Sequence, residues 1–250
     1  MSELPIELSK DRADFLSLLF SKPRPANLGP ATAIDKIWEP YFLVDSDPGL
    51  KAKTYERIVT QLTKTHGFTL TADEMGQLRT VFDAFWLHGP AITTRGSLGG
   101  GGGGNSVTFA DLTGYAYDAY NRPQSFLATE EHFQYVKSLH QRNLIVPVTG
   151  DFGGTHAIRA IGKYLHGHGA TVSGFYVSNV EQYLFQDGKD RAFYDNVATL
   201  PLTASSVFIR PYSLRRGGGA SQSLCAIAPF LAAVRAGQVY TNNQALDCVK

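Results

Sequence analysis

The sequence is poor in the residues that announce metal and redox chemistry. It has two cysteines in 250 residues. Two isolated cysteines cannot build a zinc site, and none of the seven histidines forms a His-x-x-x-His pair. Cys225 and Cys248 read as two buried or incidental thiols, which makes a reducing cytoplasm the expected location. Charge of one sign is also missing. The net charge is +1, so there is no electrostatic case for nucleic acid or an anionic membrane. No apolar run approaches a membrane-spanning length. The first fifteen residues carry early acids and no long apolar stretch, so no signal peptide is expected. A Gly-x-Ser-x-Gly nucleophile elbow is absent, and with it support for hydrolase chemistry.

What is present is an ordinary globular composition, 43% hydrophobic and 18% charged, in a chain long enough for a real core. Its centre is residues 144–185. Residues 144–148 (LIVPV) form an uncharged apolar run. A turn-rich TGDFGG follows at 149–154. Residues 155–168 then place Ala157, Ile158, Ile161, Tyr164 and Leu165 at helical spacing. Residues 171–177 are a second apolar, β-branched run. This order predicts a βαβ unit, and strands without polar alternation predict a parallel sheet covered on both faces. Ligands of such sheets sit beyond the carboxyl ends of the strands, here 149–154 and 178–183.

Around this centre, helices are expected at 11–20 with Ser9 as N-cap, and at 31–44 with a break at Pro40. Another is expected at 51–66, stopped by Gly67. Thr71 with Glu74 is a capping box opening a helix to Leu87. Thr108 and Thr129 cap two more. Residues 206–210 (SVFIR) are a third strand candidate. Residues 221–236 read as a helix kinked at Pro229, and 239–240 as a last short strand. The glycine run at 96–105 and the segment 215–219 read as flexible loops. This gives a helical region over 1–95, a Gly-rich loop over 96–105 and an α/β core over 106–250.

The stretches LATEEHFQYVKSLHQRNLIVPVTGDFGG, GATVSGFYVSNVEQYLF and NVATLPLTASSVFIR, with KDRADFLSLLFSKPRP near the start, resemble an uncharacterised bacterial family. That family has a Rossmann-like fold of the class I methyltransferase type. The resemblance implies an α/β fold with a mostly parallel sheet and an S-adenosylmethionine-dependent transferase. Members carry a further N-terminal strand–glycine loop–acidic strand. The cofactor-binding half is therefore expected to lie outside this chain, leaving the sheet incomplete and prone to self-association along the uncovered strand at 144–148.

The candidate ligand-binding residues are Asp151, Gly153, Gly154, Asn179, Glu181, Tyr183 and Arg210. Asp151 can accept hydrogen bonds from a small-molecule ligand, with Gly153 and Gly154 permitting close approach; it can equally satisfy amides of its own turn. Asn179, Glu181 and Tyr183 cluster at a second strand end. Glu181 can serve as acid or base, or close a capping box with Ser178. Arg210 can pair with a ligand carboxylate or with Asp151. Two functions follow: a methyltransferase-like enzyme, or a non-catalytic ligand-binding or assembly module on part of a Rossmann-like core.

Overall fold

The computed structural model describes residues 3–93, 107–213 and 220–248. The chain divides into two compact units, Met1–Val146 and Pro147–Lys250. The expected loops at 96–105 and 215–219 lie outside the described residues.

The N-terminal unit is helical: α1 (Glu3–Leu8), α2 (Arg12–Phe20), α3 (Ile34–Leu43), α4 (Pro48–Thr60), α5 (Ala72–His88), α6 (Phe109–Gly114) and α7 (Glu130–Gln141). A π-turn, Gln61–Thr65, prolongs α4. The capping boxes Thr71–Glu74 and Thr108–Asp111 are formed, and Thr129 accepts from the His132 amide. The N-cap of α2 is Asp11, not Ser9. Ser9 instead donates to Ile6 at the end of α1, a helix the sequence reading did not anticipate. Helix α2 is buried on nearly every side, and Phe15, Leu16, Leu19 and Phe20 are fully covered.

Arg12 is the centre of this unit's polar framework. Its Nη1 donates to the carbonyls of Leu127 and Ala128 at 2.8 and 3.0 Å. Its Nη2 donates to those of Pro30 and Thr32 at 2.9 and 2.8 Å. Glu130 sits against Nε at 3.4 Å. Burial lowers the Arg12 pKa, and Glu130 partly offsets this.

Tyr41 is buried beside Ser17 and donates to the Ala13 carbonyl. Burial pushes its phenol from the ordinary 10 up to about 12. An unfolded chain would ionise this phenol first. The stability it contributes is thus fully present below pH 10 and lost as pH rises through about 12. Between those values the N-terminal unit of Tyr41→Phe should lose less stability than wild type. The fluorescence of Trp38 and Trp86, the chain's two tryptophans, both in this unit, reads it.

The C-terminal unit contains α8 (Ala157–Gly167), β1 (Val172–Tyr176), α9 (Val180–Gln186), α10 (Asp190–Val197), β2 (Leu202–Ser213), β3 (Ala220–Ala226), α11 (Ile227–Arg235) and α12 (Asn242–Leu246). The sheet order is β1-β2-β3. β1 runs parallel to β2, and β2 antiparallel to β3. Phe175, Phe193, Phe208 and Phe230 form the aromatic centre of the core, with Phe208 and Phe230 edge to face at 5.7 Å. Cys225 of β3 is disulfide-bonded to Cys248, which corrects the expectation of two thiols.

The protein is thus mostly helical, with a small mixed sheet rather than a mostly parallel one. The expected central strand at 144–148 is not formed. Asn143 adopts a left-handed conformation (φ 53°), and the Leu144 amide turns back onto the Leu139 carbonyl at 2.8 Å. This is a Schellman closure of α7, so it takes the first amide the strand would need. Pro147 removes another donor. Leu144, Val146 and Val148 stay at least half exposed.

The helix expected over 221–236 is half strand. Residues up to Ala226 belong to β3, and Pro229 falls in the first turn of α11, where its missing amide has no intrahelical partner to lose. Residues 239–240 are not a strand. Among the described residues, no helix is long and apolar enough to cross a membrane.

Candidate functional site

Five of the seven candidate residues fall into two separate arrangements within the C-terminal unit, and the exposed Asn179 and Tyr183 belong to neither. The first is the 151–154 turn. Asp151 Oδ1 accepts from the Gly153 amide at 2.9 Å, and Oδ2 pairs with Lys189 Nζ at 2.8 Å. The Lys189 hydrogen bond, followed by the Gly153 amide, holds the Asp151 carboxyl below its usual range. Both side chains are about half exposed, so this pair is a weak tether.

The glycines serve the same turn. A Cβ on Gly153 would meet Lys189 at 2.9 Å, and one on Gly150 would meet the Ala157 Cβ at 2.4 Å. Their close approach is to this chain's own atoms. Asn196, which the sequence reading missed, fastens the loop from below. Its Nδ2 donates to the Phe152 and Gly154 carbonyls at 3.0 and 2.6 Å, and its Oδ1 accepts from Arg159 at 2.7 Å.

The second arrangement is buried. Arg210 Nε and Nη2 meet the two Glu181 oxygens at 2.7 and 2.8 Å, a bidentate pair. Tyr194 donates to Glu181 Oε1 at 2.7 Å. Arg210 is fully buried and Glu181 is 2% exposed. The guanidinium packs against the rings of both Phe208 and Phe230, 4.4 and 4.3 Å from their centroids. Burial, then the Glu181 charge, drives the Tyr194 phenol far above its usual pKa. Arg210 therefore pairs with Glu181, not with Asp151. Ser178 is not a helix cap: it sits at φ 48°, and Asn179 takes the N-cap position without a side-chain bond.

Among the described residues Arg210 Nη1 has no partner, and neither has the buried Oγ of Ser223. These residues face each other across β2 and β3. Asn179 and Tyr183 remain exposed on either side of Glu181, which points inward. Glu181 thus accepts three hydrogen bonds in the interior and presents no free oxygen to a substrate. No group of three or more His, Cys, Asp or Glu side chains among the described residues could hold a metal ion.

Residues 113–227 match the model of a family described as a domain of unknown function, DUF7790. The matched span contains all seven candidate residues, together with Lys189, Tyr194 and Asn196. No curated protein matches the chain.

Proposed function

We propose that this chain is a non-catalytic assembly module whose C-terminal unit joins a second copy of itself along β1. The observation that carries this reading is the outer edge of β1. Among the described residues β1 is paired only with β2. Residues 170–179 contain no charge and no proline, and Ser173, Gly174 and Tyr176 are exposed. Edge strands of monomers usually carry lysine, proline or a bulge to block pairing; β1 has no lysine or proline, and its register with β2 shifts only once, between Val172 and Gly174. An uncharged strand is self-complementary about a two-fold axis, and a net charge of +1 leaves little repulsion between copies. The pairing of Glu181 with Arg210 and of Asp151 with Lys189 supports a structural role for both carboxylates.

The disulfide favours an oxidising compartment over the reducing cytoplasm expected from two lone thiols. Light scattering across a concentration series tests the assembly. Wild type should form dimers, with concentration-dependent protection of β1 amides, and Ser173→Lys should be monomeric. A wild-type monomer at high concentration would sink the proposal.

The competing reading is an S-adenosylmethionine-dependent transferase acting on a small molecule. Its support is the exposed Asn179 and Tyr183 beyond the carboxyl end of a strand with a parallel neighbour. Calorimetry with S-adenosylmethionine distinguishes the two, because saturable heat would favour the enzyme.

A further inference from the structure

The sheet of the C-terminal unit has two unlike faces. Phe175 of β1, Phe208 of β2 and Cys225 of β3 stand side by side in register on the face that meets the core. Their neighbours along each strand point the other way, because successive side chains leave a strand on opposite faces. Tyr176, Ile209 and Leu224 therefore form one row across all three strands of the second face, and Gly174, Val207 and Ala226 form the next. A Cβ on Gly174 would meet Ile209 Cδ1 at 3.4 Å, which puts the Ile209 side chain beside the glycine on this same face. Tyr176 is 54% and Leu224 68% exposed, and Gly174 and Ala226 are exposed as well. The three strands contain a single charged residue, Arg210, and its side chain is spent on Glu181 in the core. The second face is thus apolar, uncharged and open to solvent.

Area decides what can cover it. The six residues expose roughly 400 Å², the size of the largest apolar patch on an ordinary monomer. Two such faces pressed together bury about 800 Å², no more than an incidental contact. Pairing along β1 changes this. Residues opposite one another in an antiparallel pair share a face, so two copies joined through β1 merge their apolar faces into one. Two merged faces bury about 1,600 Å², the standard size of a stable interface. We infer that two β1-joined dimers of this chain stack through this face as a β-sandwich, giving a tetramer with three mutually perpendicular two-fold axes. The inference rests on the pairing along β1 and names the second contact of the same assembly. A copy of the same face suits it because neither side brings a charge. A charged partner surface would lose its hydration there and find no counter-charge.

The test is sedimentation velocity on the full-length chain, from low to several hundred micromolar. Wild type should pass from dimer to tetramer as concentration rises. Leu224→Lys, a change at an exposed position, should stop at the dimer. It sets like charges against one another in the apolar contact and should raise the tetramer's dissociation constant at least about a hundredfold. Leu224→Met should still form tetramers, which separates loss of apolar character from damage to the strand. Ser173→Lys should abolish both contacts. Far-ultraviolet circular dichroism checks that each variant is folded. A wild type that stays dimeric while Ser173→Lys is monomeric would overturn this inference and leave the β1 pairing standing. Tetramers in folded Leu224→Lys at the wild-type concentration would likewise overturn this inference alone. A wild-type monomer throughout would overturn both.

Discussion

Glu181→Ala should destabilise the C-terminal unit by about 3–5 kcal/mol. The substitution strands the fully buried Arg210 guanidinium, whose Nε and Nη2 lose their carboxylate partner. It also frees the Tyr194 hydroxyl. Coulomb attraction is not what is lost on balance, since burying both charges already cost much of it. The penalty comes from a buried cation left against Phe208 and Phe230 without a counter-charge. The double replacement Glu181→Leu with Arg210→Met should therefore recover most of the loss, because neither charge then needs solvation. Denaturant unfolding followed by amide exchange across β1 and β2 gives the comparison. A loss below about 1 kcal/mol in Glu181→Ala would show that the pair is not holding the unit together.

Reduction of Cys225–Cys248 should cost the same unit about 3 kcal/mol. The bond closes a loop with a sequence separation of 23. Within that loop lie α11 and α12, and the loop joins the end of β3 to a residue just past α12. Ala245 of α12 is fully buried, so this short helix has a packing surface but too few residues to hold it alone. In dithiothreitol its amides should exchange faster than those of α11, and the denaturation midpoint should fall. Cys225→Ala with Cys248→Ala should reproduce the reduced protein. Equal midpoints for oxidised and reduced chains would refute this.

Local signals in the sequence were legible because their physics is local. Thr71 with Glu74, Thr108 and Thr129 announce helix starts through side chains that reach only three residues ahead. The strand over 172–176 was visible as an uncharged, β-branched run, and β2 only in its middle, at 206–210, where the apolar run ends on Arg210. Strand 220–226 was not. Leu224 continues the helical spacing of Ile227, Phe230 and Leu231, yet in the strand Leu224 faces solvent and Cys225 is buried. Only pairing with β2 distinguishes these readings, and pairing is not a local property. The same holds at the candidate site. Glu181 and Arg210 were singled out, but their partnership spans 29 positions and is set by the crossover from α9 to β2. Tyr194, Lys189 and Asn196 lie in a stretch with no motif, and only the fold reveals their contacts.

Arg12 carries a different kind of consequence. Four of its hydrogen bonds end on main-chain oxygens, at Pro30, Thr32, Leu127 and Ala128. A carbonyl is common to every amino acid, so the guanidinium reads the path of the chain and not the letters written on it. The identities of its partners are free to drift over generations as long as the path is kept. The arginine has no such latitude: lysine offers a single nitrogen in place of a planar fork that reaches two separate loops. One position thus holds the heritable specification for a junction among three distant segments.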